Sequence, residues 1–273
     1  MSSSLISTQQ PEEAITIVTL NRPAKRNALN CALMEACSSA FESLAQDRSQ
    51  RVLILRGEGP VFCAGLDLEE AFAPDNAART AGLVARLLRA VYQVPQVTIA
   101  AVHGAAIAGG AGLMTACDLV VATPETRIGY TEVRRGLVAA MVMTLLHRQV
   151  RERDARELLL LGDLISAERA REMGLVSRVV AQEKLMDEAL ALARAALQGA
   201  PQAIGHTKKV LDELWPSSFN HELDETLLHH LSARASPEVR EGVAAFLEKR
   251  NPSCNRNPPA IKFQGRREWI FSR

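Results

Sequence analysis

Short apolar runs alternate with segments of helical periodicity through the first half of the chain. Residues 15–20, 51–56 and 99–102 are mostly apolar, which is typical of strands buried on both faces of a parallel sheet. Residues 31–46 and 81–92 instead carry their apolar side chains at helical spacing. Because strands that alternate with helices form right-handed βαβ units, the sequence predicts an α/β fold.

The final third of the chain is predicted to be mainly helical. Ser166 and Gly174 are typical N-terminal and C-terminal caps of one short helix. A last strand is predicted at residues 175–180, and further helices at residues 182–197, 201–214, 222–235 and 237–249.

This pattern predicts two regions and a tail. We expect a core over residues 1–200 and a helical region over residues 201–250 that packs on, or is exchanged across, an oligomer interface. Residues 251–273 are rich in Pro, Asn and Arg. They predict a disordered tail, with docking of Trp269 on a partner subunit as the alternative.

A glycine-rich stretch, residues 99–122, joins a short strand to a buried helix and a second strand. Gly109 and Gly110 open that helix, although glycine is less favourable there than alanine by roughly 0.5–1 kcal/mol. One interpretation is that the first helical turn offers free N–H donors, which a ligand oxygen reaches because side chains are missing. The other is that the glycines only let the helix pack closely against a neighbour. The residues alone leave both interpretations open.

Composition narrows the class of protein. The 273 residues are 47% apolar and 23% charged, with a formal net charge of +1, so no global field favours nucleic acid or an anionic membrane. The five cysteines form no C-x-x-C pair, which argues against a disulfide framework or zinc knuckle and favours a reducing compartment. We detect no secretory signal and no apolar window long enough to span a bilayer. We therefore expect a cytoplasmic enzyme with no metal and no nucleic-acid or membrane partner.

Several motifs that carry chemistry are absent from the sequence. It contains no P-loop, no G-x-G-x-x-G dinucleotide motif, no G-x-S-x-G nucleophile elbow and no H-E-x-x-H metal motif. His103 lies at a strand end and is predicted to be structural. His229 and His230 are predicted to lie on a solvated helix face.

Three motifs in order carry a resemblance to a known family. They are FCAGLDL at residues 62–68, IAAVHG-x-x-x-x-GG-x-x-x-x-x-x-CDLVVA at residues 99–122, and IGYTE at residues 128–132. Over about residues 15–250 the chain resembles the crotonase superfamily, which comprises the enoyl-CoA hydratases and isomerases. The resemblance implies a spiral of repeated ββα units with a C-terminal helical trimerisation region, in a homotrimer or dimer of trimers. It also implies a coenzyme A thioester as substrate, with no separate cofactor.

The resemblance also implies roles for individual residues. The main-chain N–H groups of Leu66 and Gly109 align with the family's oxyanion hole, where two amides stabilise a thioester enolate. The residues assigned to substrate binding are Lys25, Asn27, Ala28, Leu29, Ala64, Asp67, Leu68, Gly110 and Gly112. The basic residues Arg22, Lys25 and Arg26 either meet the phosphates of coenzyme A or are solvated.

The chain departs from the family's hydratases at the first of their two glutamate positions, which is Gly112 here. The second glutamate is present as Glu132, and we assign it as the acid/base rather than as a surface residue at a helix start. Its pKa is expected to be raised by an apolar pocket. One carboxyl suffices to move a double bond, because it takes a proton from one carbon and returns it two carbons away. The single glutamate therefore favours isomerisation of an enoyl-CoA.

Three alternatives stay open: hydration of a 2-enoyl-CoA by Glu132 alone, another thioester reaction on the same scaffold, and a non-catalytic role in coenzyme A binding. Residues 72–79 and the helix from Val84 are predicted to line the acyl pocket. Arg134 and Arg135 either recognise a carboxylate on the acyl chain or lie on a helix surface. The acidic residues that are candidates to assist Glu132 are Glu69, Glu70 and Asp75.

Overall fold

The computed structural model describes residues 4–73 and 76–253, and this part of the chain contains nine strands and eleven α-helices. The strands are β1 (Ile6–Glu12), β2 (Ile15–Leu20), β3 (Val52–Gly57), β4 (Val97–Val102), β5 (Ala105–Ile107), β6 (Leu119–Ala122), β7 (Arg127–Gly129), β8 (Ile165–Ser166) and β9 (Arg178–Val179). The helices are α1 (Cys31–Gln46), α2 (Leu68–Ala71), α3 (Ala77–Tyr92), α4 (Gly109–Thr115), α5 (Ala140–Leu146), α6 (Glu152–Leu161), α7 (Ala167–Met173), α8 (Leu185–Leu197), α9 (Pro201–Glu213), α10 (Phe219–Arg234) and α11 (Pro237–Leu247). Short 3₁₀ helices lie at Pro23–Lys25, Glu132–Arg135 and Gln182–Lys184.

A six-stranded sheet in the order β1-β2-β3-β4-β6-β9 forms the base of the fold. β1 pairs antiparallel with β2, and all other neighbours in this sheet pair in parallel. The three apolar runs of the sequence are β2, β3 and most of β4, which are almost wholly buried. Helices α1 and α3 connect these strands and pack against each other. The predicted α/β arrangement is confirmed.

Three strands had no prediction from the sequence, namely β1, β5 and the two-residue β8. β1 is largely exposed and contains Pro11, and its register with β2 shifts between Gln9 and Glu12, so no apolar alternation marks it. β5 has only three residues and belongs to a separate three-stranded sheet with β7 and β8. A parallel bridge from Cys63 to Ala106 attaches the first-motif loop, residues 62–68, to β5. This small sheet therefore helps to position the site.

Apolar cores lie on both faces of the main sheet. The larger core packs one face of β2–β4 against α1, α3, α4 and α5, with Phe41 and Tyr130 fully buried. The smaller core packs the opposite face, including Ile17 and Ile54, against α8. Because these strands are covered on both faces, their sequences are continuously apolar rather than alternating.

The C-terminal helices differ in how deeply they pack. α10 begins at Phe219 rather than at residue 222, because the Ser218 side chain caps it, and it buries Phe219 and Leu223 in the larger core. α9 has no buried residue and exposes Leu211 and Leu214. The predicted tail lies outside the described residues from position 254 onward, as does Trp269.

The cysteines and the candidate metal ligands can be surveyed over the described residues. The described cysteines Cys31, Cys37, Cys63 and Cys117 are buried free thiols. Residues 4–73 and 76–253 hold no group of three or more His, Cys, Asp or Glu side chains arranged to bind a metal. No helix in these same ranges has the length and apolar character needed to cross a membrane.

Candidate active site

Asn27 fixes the first-motif loop. Its side chain is fully buried, accepts a hydrogen bond from the Arg22 N–H at 2.9 Å and donates to three carbonyls within residues 58–62. The Leu29 N–H donates to the Gly65 carbonyl at 2.8 Å. The backbone that follows Gly65 is therefore held from two sides. The Asn27 side chain therefore supports the loop, and the assignment of Asn27 to substrate binding stays a prediction.

Two backbone amides lie side by side where this loop meets the start of α4. A Cβ placed on Gly109 would lie 3.8 Å from the Leu66 nitrogen, and one placed on Gly65 would lie 3.5 Å from the Gly109 nitrogen. Neither the Leu66 nor the Gly109 N–H donates a hydrogen bond to any described residue. Ala108 and Gly65, which precede them, have φ values of 52° and 89°. These left-handed conformations turn the chain so that both N–H groups stay unpaired.

The glycines of α4 fall into two kinds. A Cβ on Gly110 would come within 2.4 Å of the Cys63 carbonyl oxygen, and one on Gly112 within 2.3 Å of Cγ1 of Val142. Close packing therefore requires glycine at both positions. A Cβ on Gly109 would make no contact closer than 3.4 Å. Packing does not require glycine at Gly109, so open access to its N–H is the better interpretation there.

Glu132 begins its 3₁₀ helix with the carboxyl group turned inward. The Oε2 atom is buried and has no hydrogen-bond partner among the described residues. Burial raises the pKa of Glu132 to about 7, while its own backbone N–H and the charge of Arg135 oppose the shift. The alternative of a solvated surface glutamate is wrong, because a solvated carboxyl would not be buried in this way.

A cavity of about 100 Å³ joins the Glu132 carboxyl to the two amides. Leu66, Gly109 and Glu132 all line it, together with mainly apolar side chains such as Val84 and Met141. A cavity of roughly 10–15 Å³ already holds one water molecule, so this one has room for several atoms of a ligand. An apolar lining with a few convergent polar groups is typical of small-molecule sites. Val84 lines this cavity, and its assignment to the acyl pocket stays a prediction.

The residues assigned to substrate binding are only partly brought together. Ala64 and Leu68 line the cavity, whereas Lys25, Asn27, Ala28, Leu29, Asp67, Gly110 and Gly112 do not. Arg22 donates to Asp67 at 2.7 Å, so its charge is neutralised within the protein. Lys25 and Arg26 are exposed, with the Lys25 ammonium 4.0 Å from a Glu69 carboxylate oxygen. These two cations are the ones in this segment that remain accessible to phosphate groups.

The acidic residues predicted to assist Glu132, and the loop predicted to line the acyl pocket, contribute less to the cavity than expected. Glu69 and Glu70 do not line the cavity, and Asp75 lies outside the described residues. The described part of residues 72–79 does not line it either, so its assignment to the acyl pocket stays a prediction without support from this cavity. Phe72 instead stacks on the Arg234 guanidinium, whose carbon lies 4.3 Å from the ring centre.

The cavity contains cationic and imidazole groups that sequence reasoning misplaced or missed. His230 is 8% exposed and lines the cavity together with Arg234, so the solvated face predicted for His230 is wrong, although His229 is exposed. The sequence signal was its position seven residues after Leu223, on the same face of α10. Arg135 also lines the cavity, whereas Arg134 pairs with Asp163 near the surface. His103 is structural as predicted, since its Nε2 lies 2.8 Å from the Gly59 carbonyl oxygen.

Comparison with known proteins identifies the family of this chain. Residues 10–257 match the family model described as enoyl-CoA hydratase/isomerase. A Thermus thermophilus protein named "Putative enoyl-CoA hydratase" is 39% identical, over 87% of this chain and 96% of its own. The 1,2-epoxyphenylacetyl-CoA isomerase of Escherichia coli is 32% identical, over 88% of this chain and 95% of its own. The crystal structure of an enoyl-CoA hydratase from Mycobacterium avium has a TM-score of 0.82 at 32% identity, over 92% of this chain and 99% of its own. The chain therefore belongs to the enoyl-CoA hydratase/isomerase family and has its crotonase fold.

Proposed function

We propose that this enzyme moves the double bond of a 3-enoyl-CoA into conjugation with the thioester, using Glu132 as its only acid/base. The Glu132 carboxylate removes a proton from C2, which breaks the C2–H bond and sends its electrons toward the thioester carbonyl. The resulting dienolate oxygen accepts hydrogen bonds from the N–H groups of Leu66 and Gly109. The same carboxyl group then returns the proton to C4, and the double bond ends between C2 and C3.

One observation carries this proposal: a single buried carboxyl group shares a cavity with two unpaired amides. The position of the first of the two glutamates in the family's hydratases is Gly112, and Val142 fills the space beside it. Neither residue offers a polar side chain that could hold a water molecule from that side. A reaction that needs one proton carrier fits this site better than one that needs two.

The raised pKa of Glu132, about 7, suits an acid/base that acts in both directions. At neutral pH the carboxyl group exists in comparable amounts as base and as acid, and a catalytic group is most efficient when its pKa lies near the operating pH. The physical cause is burial beside apolar side chains, which disfavours the charged form.

Hydration of a 2-enoyl-CoA is the second candidate, because two of the similar proteins described above are named as hydratases. In this reaction Glu132 alone both activates the water and exchanges the proton. The amides of Leu66 and Gly109 keep the same role, since an enolate also forms when water adds beside the thioester. The two candidates therefore differ in the substrate they consume, not in the residues they use.

We also propose that the chain assembles as a homotrimer or a dimer of trimers. Leu211 and Leu214 are 59% and 76% exposed on the ridge formed by α9, which buries none of its own residues in the subunit. Apolar side chains exposed together are typical of subunit interfaces. Molar mass from light scattering tests this, and a monomer at micromolar concentration would contradict it.

Ultraviolet absorbance of the conjugated thioester tests the reaction. An isomerase raises the absorbance when it is given a 3-enoyl-CoA, and a hydratase lowers it when it is given a 2-enoyl-CoA. We expect the first signal, and we expect Glu132→Gln to lose it almost completely. The matched control is Glu125→Gln, because Glu125 is exposed and does not line the cavity.

Each outcome decides between the candidates. Consumption of only the 2-enoyl-CoA would assign hydration. Full turnover by Glu132→Gln would show that another group carries the proton. If neither thioester reacts while coenzyme A thioesters still bind, the chain is a non-catalytic member of the family.

A further inference from the structure

Unpaired polar atoms concentrate in one place in this molecule. In residues 4–73 and 76–253, six buried side-chain nitrogen or oxygen atoms lack a hydrogen-bond partner. Three of the six belong to residues that line the Glu132 cavity: Glu132 Oε2, Arg135 Nε and His230 Nε2. Buried polar groups are nearly always paired, so such a cluster calls for a ligand that completes it. The reaction proposed above uses only the first of the three.

His230 offers a hydrogen-bond acceptor. Its Nδ1 lies 3.4 Å from the Val138 carbonyl oxygen, which accepts but cannot donate. The proton of the neutral imidazole therefore belongs on Nδ1, and Nε2 is left with a lone pair. Burial and the nearby charge of Arg234 lower the pKa of His230 to about 4, so the ring is neutral at physiological pH. The nitrogen without a partner is thus an acceptor that needs a donor.

Arg135 offers the complementary donor. Its Nη1 donates to Thr131 Oγ1 at 2.9 Å, and the guanidinium lies over the Phe246 ring at 4.2 Å. These contacts leave the Nε–H unpaired. Neither Arg135 nor Arg234 forms an ion pair with an acidic residue in the described part of the chain. Arg234 donates instead to Ala71 and Ala77 carbonyls and to the Thr80 hydroxyl, so its hydrogen-bonding groups are largely used.

We propose that the acyl group of the substrate carries a hydroxyl beyond the reacting carbons, recognised by His230 and Arg135. A hydroxyl both donates, as the Nε2 of His230 requires, and accepts, as the Nε–H of Arg135 requires. A carboxylate or a ketone only accepts and leaves the His230 lone pair without a donor. A plain hydrocarbon chain leaves both groups unpaired. This inference rests on the proposed function, since it assumes that the cavity holds the acyl chain of a thioester.

Discrimination between two matched thioesters tests the inference. The probes are enoyl-CoA thioesters of equal chain length that end in a methyl group, a hydroxymethyl group or a carboxylate. We expect the native enzyme to favour the hydroxylated probe over the methyl probe at least tenfold in kcat/KM. A site built to bind a substrate hydroxyl rejects analogues that lack it, because its own polar groups are then left unpaired.

His230→Leu removes the acceptor, and we expect it to abolish this preference. His230→Gln keeps a side-chain oxygen that accepts a hydrogen bond, and we expect it to retain part of the preference. It also keeps the test open if the leucine variant does not fold. The matched control is His229→Leu, since His229 is the exposed neighbour on the same helix. We expect this control to keep the native ratio.

Three results would overturn the inference: equal turnover of the methyl and hydroxylated probes, a preference that survives in His230→Leu, or a stronger preference for the carboxylate. Turnover of the methyl probe without any hydroxyl preference would remove this inference and leave the proposed function standing. If none of the probes reacts, calorimetry with the matching saturated acyl-CoA thioesters still decides. Equal Kd values for the methyl and hydroxylated ligands would reject the inference, and tighter binding of the hydroxylated one that is lost in His230→Leu would uphold it.

Discussion

Replacing Glu132 by glutamine is expected to stabilise the protein at neutral and alkaline pH while it removes activity. The pKa of Glu132 is raised from its ordinary value of 4.5 to about 7 by burial. At about 1.4 kcal/mol per pKa unit, this shift means that the ionised carboxyl destabilises the native state by about 3 kcal/mol. Glutamine has nearly the same shape and carries no charge, so the variant avoids this penalty.

The sign of the effect follows from proton binding. Between pH 4.5 and about 7 the unfolded chain has released the Glu132 proton, whereas the native protein still holds it. The native state therefore binds more protons than the unfolded state, and the free energy of unfolding falls as the pH rises through this window. Below pH 4.5 the contribution of Glu132 to the free energy of unfolding is fully present, and above about pH 7 it is lost.

Thermal unfolding at pH 5 and pH 8 measures this effect. About 3 kcal/mol corresponds to roughly 6–12 °C in Tm for a chain of this size, since each kcal/mol shifts Tm by roughly 2–4 °C. We expect the Tm difference, variant minus native, to be larger at pH 8 than at pH 5 by nearly this amount. The unpaired glutamine amide lowers both Tm values of the variant equally, so the difference between pH values is the quantity to compare.

Glu125→Gln serves as the control, because the exposed Glu125 side chain should give a Tm difference that does not change with pH. A Tm difference for Glu132→Gln that is the same at pH 5 and pH 8 would refute the reasoning. It would mean that the native carboxyl titrates near its ordinary pKa, and that Glu132 is not a base adjusted to neutral pH.

The other predictions concern the titration of the same carboxyl group and the glycines of α4. We expect kcat/KM of the isomerisation to rise about tenfold per pH unit below about pH 7 and then to level off, since only ionised Glu132 accepts the first proton; a flat profile from pH 5 to pH 8 would contradict this. Gly109→Ala should fold normally, since its Cβ meets nothing closer than 3.4 Å. It should nevertheless lower kcat by roughly 10²-fold, because the methyl group lies 3.8 Å from the Leu66 nitrogen and obstructs the two N–H donors. Gly82→Ala on α3, where a Cβ meets nothing within 4 Å, is the control that should keep full activity. Gly112→Ala should lower the free energy of unfolding by about 1–3 kcal/mol through overpacking. Val142→Ala removes the atom 2.3 Å away, so in denaturant titrations the double variant should be less destabilised than the two single variants combined.

The parts of the fold that could be predicted are those whose environment is uniform along the sequence. β2, β3 and β4 are covered on both faces, so their buried residues form continuous apolar runs. β1 pairs along only one edge and is exposed, and its hydrogen bonds are made by the backbone, which leaves no trace in the side-chain pattern. β5 is too short for any periodicity to be recognised.

The candidate site likewise contains residues that the sequence predicted and residues that it did not. Backbone chemistry alone left two interpretations of Gly109 open, a free N–H group or close packing, and the structure leaves that N–H unpaired. Glu132 lies at a helix start, where local sequence favours a solvated carboxylate, so only the resemblance to a family indicated its role. His230 and Arg135 line the same cavity, although one lies on α10 and the other on the 3₁₀ helix of Glu132. Which residues share a cavity depends on tertiary structure, and a reading limited to neighbouring residues placed His230 in solvent.

The exchange of a glutamate for Gly112 has consequences for the glutamate that remains. Two carboxyl groups that share a cavity repel when both are ionised, so the pKa of one is driven up and the two divide the work of acid and base. With Gly112 and Val142 on that side of the cavity, neither residue places a carboxyl group beside Glu132, and burial is the main cause of its raised pKa. A lone carboxyl near pKa 7 passes easily between its two forms, which is the property needed to remove a proton from one carbon and return it to another. The packing of Val142 against Gly112 leaves no space for a second carboxyl at that position, which supports the proposal that Glu132 is the one proton carrier.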